Sequence, residues 1–142
     1  MATITFGNIT RSYLVQDVFT AFDGMKLMSG TVPSDFTGLT SAGSMNSNVL
    51  VEFTSLTKST AGGSSYDFNL YTTGYSTALS SGTATWLWGY ELDTDNSTIL
   101  NQFIATVGTS GTDVILGNTA IISGAKYRLQ DIRFEFPEDY TY

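Results

Sequence analysis

The stretch Thr83-Ala84-Thr85-Trp86-Leu87-Trp88-Gly89-Tyr90-Glu91-Leu92 (TATWLWGYEL) decides how this chain folds. It concentrates Thr, Trp, Leu and Tyr, residues that fit a pleated surface, and it holds no proline. Trp86, Trp88 and Tyr90 stand two residues apart, so in a strand all three project from one face. The alternate positions Thr85, Leu87, Gly89 and Glu91 form a mixed set less suited to a core. Asp93-Thr94-Asp95-Asn96 then supplies turn chemistry, and Ile99–Val107 is a second apolar run. The pair predicts an antiparallel hairpin.

Toward the C-terminus, Gly108–Gly111 marks another turn, and Val114–Leu116 and Ala120–Ile122 are short strands around Gly117-Asn118. Lys126–Phe136 alternates over its whole length and predicts one long final strand. Toward the N-terminus, Tyr66–Tyr71 places Tyr66, Phe68 and Leu70 on one face. Thr57–Ser65 reads as a Gly-Gly-centred connection, and Val49–Leu56 as a strand. Ser34–Asn48 has no periodicity and predicts a long surface loop, of a length that is often functional in compact domains. Met25–Met28 is a short strand leading to Pro33, which stops pairing.

Before Gly24 the pattern changes. Ile9, Tyr13, Leu14, Val15, Val18, Phe19 and Phe22 recur mainly at spacings of three and four, as in an amphipathic helix. Asn8 or Thr10 is placed to cap it and Gly24 to end it, with a strand as the competing reading. The expected fold is mainly β: a single antiparallel β-sandwich, jelly-roll or immunoglobulin-like, with one N-terminal helix. Its organisation is an arm and helix over 1–24, the sandwich over 25–137 and an acidic tail over 138–142.

Composition narrows the function. The 142 residues include no Cys and no His, which removes disulfide scaffolds, thiol nucleophiles, His-based triads and Cys/His zinc sites together. Six basic against 13 acidic residues leave a net charge of −7, a poor match to nucleic-acid phosphates. No run approaches a membrane span, and Met1–Phe6 lacks the basic start of a secretory signal. About a quarter of the chain is Ser or Thr, a bias seen in β-rich proteins.

Each candidate site in the sequence also has a plainer role. Trp86, Trp88 and Tyr90 would suit a sugar-stacking platform, but a core or subunit interface is the commoner use of such side chains. Asp93, Asp95 and Asn96 resemble the start of a calcium loop, yet the twelfth position from Asp93 is Ile104 where a bidentate Glu is needed. Glu52, Asp67, Glu91, Asp131 and Glu135 offer no pair marked out by spacing for glycosidase work. The expectation is therefore no enzyme: no catalytic, cofactor-binding or metal residues. The candidate contact residues are Tyr13, Val18, Phe19 and Phe22 on the helix face, Trp86, Trp88 and Tyr90 on the strand, and the Ser34–Asn48 loop.

From Thr83 onward the order of pieces resembles a family of small virion-associated proteins encoded by tailed bacteriophages. Thr83-Ala84-Thr85-Trp86 matches its "TATWFR" opening, and Val107-Gly108-Thr109-Ser110-Gly111-Thr112-Asp113-Val114-Ile115-Leu116 its "VGTSGADLNL". Ala120-Ile121-Ile122-Ser123-Gly124-Ala125, which carries its "I-x-SG", and the final strand closing on Phe136-Pro137 follow in the same order. Leu27-Met28-Ser29-Gly30-Thr31-Val32-Pro33 echoes a "YTGTRP"-like turn. The likeness covers about 83–137 and is schematic before that. The chain departs from it at Leu87-Trp88-Gly89-Tyr90, where many relatives carry Phe-Arg and a β-branched residue, and in its acidic tail.

The resemblance implies a structural virion part with no catalytic residues. The expectation it leads to is a capsid decoration, or cement, protein on the outer surface of the major capsid protein lattice. It would be a homo-oligomer, a trimer in the favoured reading, with no nucleic-acid or membrane partner. The alternatives are a neck, tail or fibre-associated component, or a carbohydrate-binding module using Trp86, Trp88 and Tyr90.

Overall fold

A computed structural model describes residues 5–7, 22–54, 56–60, 67–130 and 132–135. Thirteen short strands carry the described fold, which is mainly β. They are β1 (Thr5–Gly7), β2 (Gly24–Met28), β3 (Val49–Phe53), β4 (Leu56–Thr60), β5 (Asp67–Thr72), β6 (Ser76–Thr77), β7 (Gly82–Thr83), β8 (Trp86–Leu92), β9 (Ile99–Gly108), β10 (Val114–Ile115), β11 (Ala120–Ile121), β12 (Lys126–Tyr127) and β13 (Ile132–Glu135).

The expected hairpin is the centre of the molecule. β8 pairs with β9 antiparallel from Trp86↔Thr106 to Glu91↔Asn101, and the central sheet runs β1-β9-β8-β2-β3. Both faces of this sheet are buried. On one, Met25, Leu27, Leu87, Phe103 and Ala105 join a cluster with Phe53, Ala78, Ile121, Leu129 and Ile132. On the other, Met28, Trp86, Trp88, Tyr90 and Ile104 join a second cluster.

The Leu87/Gly89 face, which looked too mixed for a core, thus belongs to the larger cluster. Gly89 explains the difference. A Cβ there would stand 2.7 Å from Cδ1 of Phe103 and closer still to its Cε1 and Cζ. The neighbouring strand fills the space the glycine leaves, and Leu87 has no exposed surface.

Residues 67–83 and 120–135 form a second unit. Leu70 pairs with Ile132, Thr77 with Lys126 and Thr83 with Ala120, so three separate ladders lie on one antiparallel line. A single one-residue slip separates the first ladder from the other two. Side chains along this interrupted ribbon alternate: Ala78, Ala84, Ile121 and Leu129 are buried, while Tyr75, Thr77, Leu79, Ile122, Lys126 and Arg128 are exposed. Edge pairing continues on β3, where Leu79 N–H donates to the Leu50 carbonyl (2.8 Å) and the Ser80 hydroxyl to that of Val49 (2.7 Å).

Two sequence expectations change here. The single strand expected over Lys126–Phe136 is broken after Tyr127, because its two halves pair with different partners on either side of a bend. At the break Leu129 is bound by Thr72, whose N–H donates to the Leu129 carbonyl (2.9 Å) and whose hydroxyl accepts the Leu129 N–H (3.0 Å). Residues 57–60, expected within a connection, belong with Leu56 to β4 against β5, and the strand expected over Val49–Leu56 ends at Phe53. The helix expected over 9–22 lies outside the described residues apart from Phe22, as do Tyr13, Val18, Phe19 and the 138–142 tail. Phe22 is buried, edge-on to Phe103 with centroids 5.3 Å apart.

Gly89→Ala is expected to destabilise the fold by about 1–3 kcal/mol through overpacking against Phe103. Gly74→Ala, where a Cβ meets nothing within 4 Å, is expected to leave the urea midpoint unchanged. Phe22→Asp, which buries an unpaired carboxylate, should lower that midpoint or prevent folding.

Candidate functional site

The aromatic face of β8 is closed. Trp86 and Trp88 have no exposed surface and Tyr90 is 3% exposed, so none offers a ring to a sugar or a partner. The cover is residues 29–48. Leu39 is buried and Val32, Phe36 and Met45 pack on the aromatic cluster. The stretch expected as a surface loop is therefore a lid whose apolar residues, irregularly spaced in sequence, all turn inward.

Polar groups under the lid are matched one to one. Trp88 donates its indole N–H to Oε1 of Gln102 (2.9 Å), and Nε2 of Gln102 donates to the Leu39 carbonyl (3.1 Å). Trp86 Nε1 donates to the Ser29 carbonyl (3.1 Å). Lys26 is only 4% exposed, and its ammonium donates to the Ala42 carbonyl. It lies 5.6 Å from the Trp88 ring centroid and 5.5 Å from that of Tyr90. Removing an ammonium from water costs several kcal/mol, and a desolvated cation–π contact returns about 2 kcal/mol. The carbonyl and the two ring faces together are what make the buried position tenable.

The lid is also fastened at its rim. Ala42 N–H donates to the Ser97 carbonyl (2.7 Å), Ile99 N–H to that of Thr40 (3.2 Å), and Ser41 bridges Thr98. That rim is the β8–β9 turn, where Asp95 is fully engaged. Its carboxylate accepts the Thr98 hydroxyl and the N–H groups of Thr98 and Ser97 (both 2.8 Å), which hold it below the usual carboxylate range. Asn96 takes the left-handed conformation, φ 57°. The Asp-rich segment is turn chemistry.

The Gly108–Asp113 element has a local role as well. Asp113 Oδ2 accepts the N–H (2.9 Å) and hydroxyl (3.0 Å) of Thr106, and its own N–H donates back to that hydroxyl (3.0 Å). With Gly111 at φ +68°, this closes the loop that lays β10 parallel against β9. Among the described residues no three His, Cys, Asp or Glu side chains gather as a metal-binding group would need.

Among the described residues, three of the exposed large apolar side chains lie on the outer face of the ribbon. Tyr75, Leu79 and Ile122 are 63–64% exposed, as is Ile115 elsewhere on the surface. Lys126 and Arg128 share that face, and the Arg128 guanidinium stands 5.2 Å from the Tyr75 ring centroid. Beside them is a shallow recess of about 450 Å³ bordered by Tyr71, Thr72, Thr73, Arg128 and Gln130. Sequence reasoning missed this face. Its signal was the alternation of exposed and buried positions through 75–83, a stretch too polar to be read as strands.

Gln102→Leu is expected to unpair the Trp88 N–H and the Leu39 carbonyl, at about 1–3 kcal/mol for each group left buried. Urea unfolding measures it, with faster proteolysis within 32–48 as the local sign. Tyr90 gives a pH test. Burial, and the Glu52 carboxylate that accepts its hydroxyl (3.4 Å), push the phenol well above its usual range. The unfolded chain ionises near pH 10 while the folded one keeps its proton, so stability is lost as pH rises from there. Tyr90→Phe should reduce the difference between unfolding free energies measured at about pH 9 and pH 11.

No protein-family model, curated protein or solved structure matches this chain.

Proposed function

We propose that this chain is a virion structural protein, a capsid decoration protein of a tailed bacteriophage. It would bind the outer surface of the major capsid protein lattice and stabilise joints between subunits. Its fold is read as an antiparallel β-sandwich, with the central sheet and the 67–83/120–135 ribbon facing each other across the larger cluster. The jelly-roll and immunoglobulin-like forms both fit that description.

The observation that carries this reading is the internal use of the chain's distinctive residues. Trp86, Trp88 and Tyr90 fill a sealed cluster, and Asp113 of the Gly-Thr-Ser-Gly-Thr-Asp element closes its own loop. A sheet covered on both faces and a lid fastened at centre and rim suit a part that resists deformation. The order of motifs from Thr83 to Pro137 supports the virion setting, and the net charge of −7 favours a protein partner over nucleic acid.

Single contacts of modest area hold a shell when several act together, so a homo-oligomer matched to a local symmetry axis is favoured. A trimer would have three times the 15.3 kDa chain mass. Light scattering on the purified protein is expected to find that mass rather than a monomer's. Quantitative mass spectrometry of intact particles is expected to find on the order of hundreds of copies, as repeated lattice sites demand. About six or twelve copies would instead point to a neck, tail or fibre component, and none would end the proposal.

A further inference from the structure

We infer that the outer face of the ribbon, centred on Tyr75, Leu79, Ile122, Lys126 and Arg128, is the surface that seats on the shell, and that its counterpart there is an acidic protein surface with an apolar centre. This rests on the decoration reading above.

Charge chooses the occupant. The chain carries 6 basic and 13 acidic residues, yet the exposed ribbon positions from 75 to 83 and 120 to 130 hold two cations and no carboxylate. Over these positions the face is thus opposite in sign to the molecule as a whole. An isologous contact between two copies would bring Lys126 and Arg128 of each toward those of the other, which like-charge repulsion opposes. An acidic partner surface gains from both cations, and the three exposed apolar side chains supply the dehydrated centre such contacts need.

Size sets the strength. Nine residues of strand span about 27–30 Å and two paired strands are about 10 Å wide, giving roughly 300 Å². A stable interface of standard size takes about 800 Å² from each partner. One copy should therefore hold weakly, with occupancy coming from multiple seats.

The test is rebinding of purified protein to phage particles stripped of it, read by sedimentation at several salt concentrations. The variants are Lys126→Glu with Arg128→Glu, Leu79→Asp, and Ile122→Asp, all at exposed positions. Ile115→Asp and Leu100→Asp, exposed on other parts of the surface, are controls, and circular dichroism checks that each variant is folded. The ribbon-face variants are expected to bind at least about tenfold more weakly, with wild-type binding falling as salt rises, while the controls bind normally. Equal rebinding by all variants would overturn the inference and leave the decoration reading standing. Absence of the protein from native particles would remove both. If the variants instead alter self-association and not rebinding, a second copy covers this face and the inference is wrong.

Discussion

A strand that carries Trp86, Trp88 and Tyr90 on one side and Leu87 beside an unfilled Gly89 on the other requires apolar cover twice over. Every larger feature of the molecule answers that requirement. The ribbon supplies Ala78, Ala84, Ile121 and Leu129 to the Leu87 side, and the 29–48 segment supplies Leu39, Phe36 and Met45 to the indole side. Neither cover is a second large sheet built from long apolar strands. Both are made of short pieces whose few apolar residues face inward, which accounts for a chain so rich in Ser and Thr folding around so aromatic a centre.

The two covers are held differently. The ribbon joins the core by ordinary alternation and by ladder hydrogen bonds along its length. The lid has almost no regular structure and relies on side chains rising from the sheet: Lys26, Trp86 and Gln102 each donate to a lid or pre-lid carbonyl. Irregular backbone over a core leaves carbonyls needing donors, and long polar side chains inside the sheet meet that need. A buried lysine among aromatic rings, odd as an isolated residue, is ordinary in that role.

Much of this was legible in the chain itself, and the gaps have identifiable causes. The β8–β9 hairpin could be read because its aromatic alternation and its Asp-Asn turn agree with each other. β2, β10 and β11 were visible as short apolar runs bounded by Gly, Asn or Pro. β4 was not, since Leu56-Thr57-Lys58-Ser59-Thr60 has one large apolar residue and runs toward Gly62-Gly63. The break at Arg128–Gln130 was hidden because period-two alternation carries straight through it. The lid was hidden because residues 32, 36, 39 and 45 follow no period. Of the candidate contact residues, Phe22, Trp86, Trp88 and Tyr90 lie inside the described fold. The open ribbon face was overlooked because strands of two residues leave almost no pattern.

The nesting of the pairings bears on how the chain reaches this state. The β8–β9 hairpin closes over a short turn, and its outer ends deliver residue 83 close to residue 120. Pairing there brings 77 to 126, and that in turn brings 70 to 132. Contacts of long separation along the backbone can thus form in sequence, each one closing only about 12–17 additional links once its predecessor is in place. A topology that appears slow from its long-range pairings can zip outward from a single local hairpin, of which the tryptophan strand is one half.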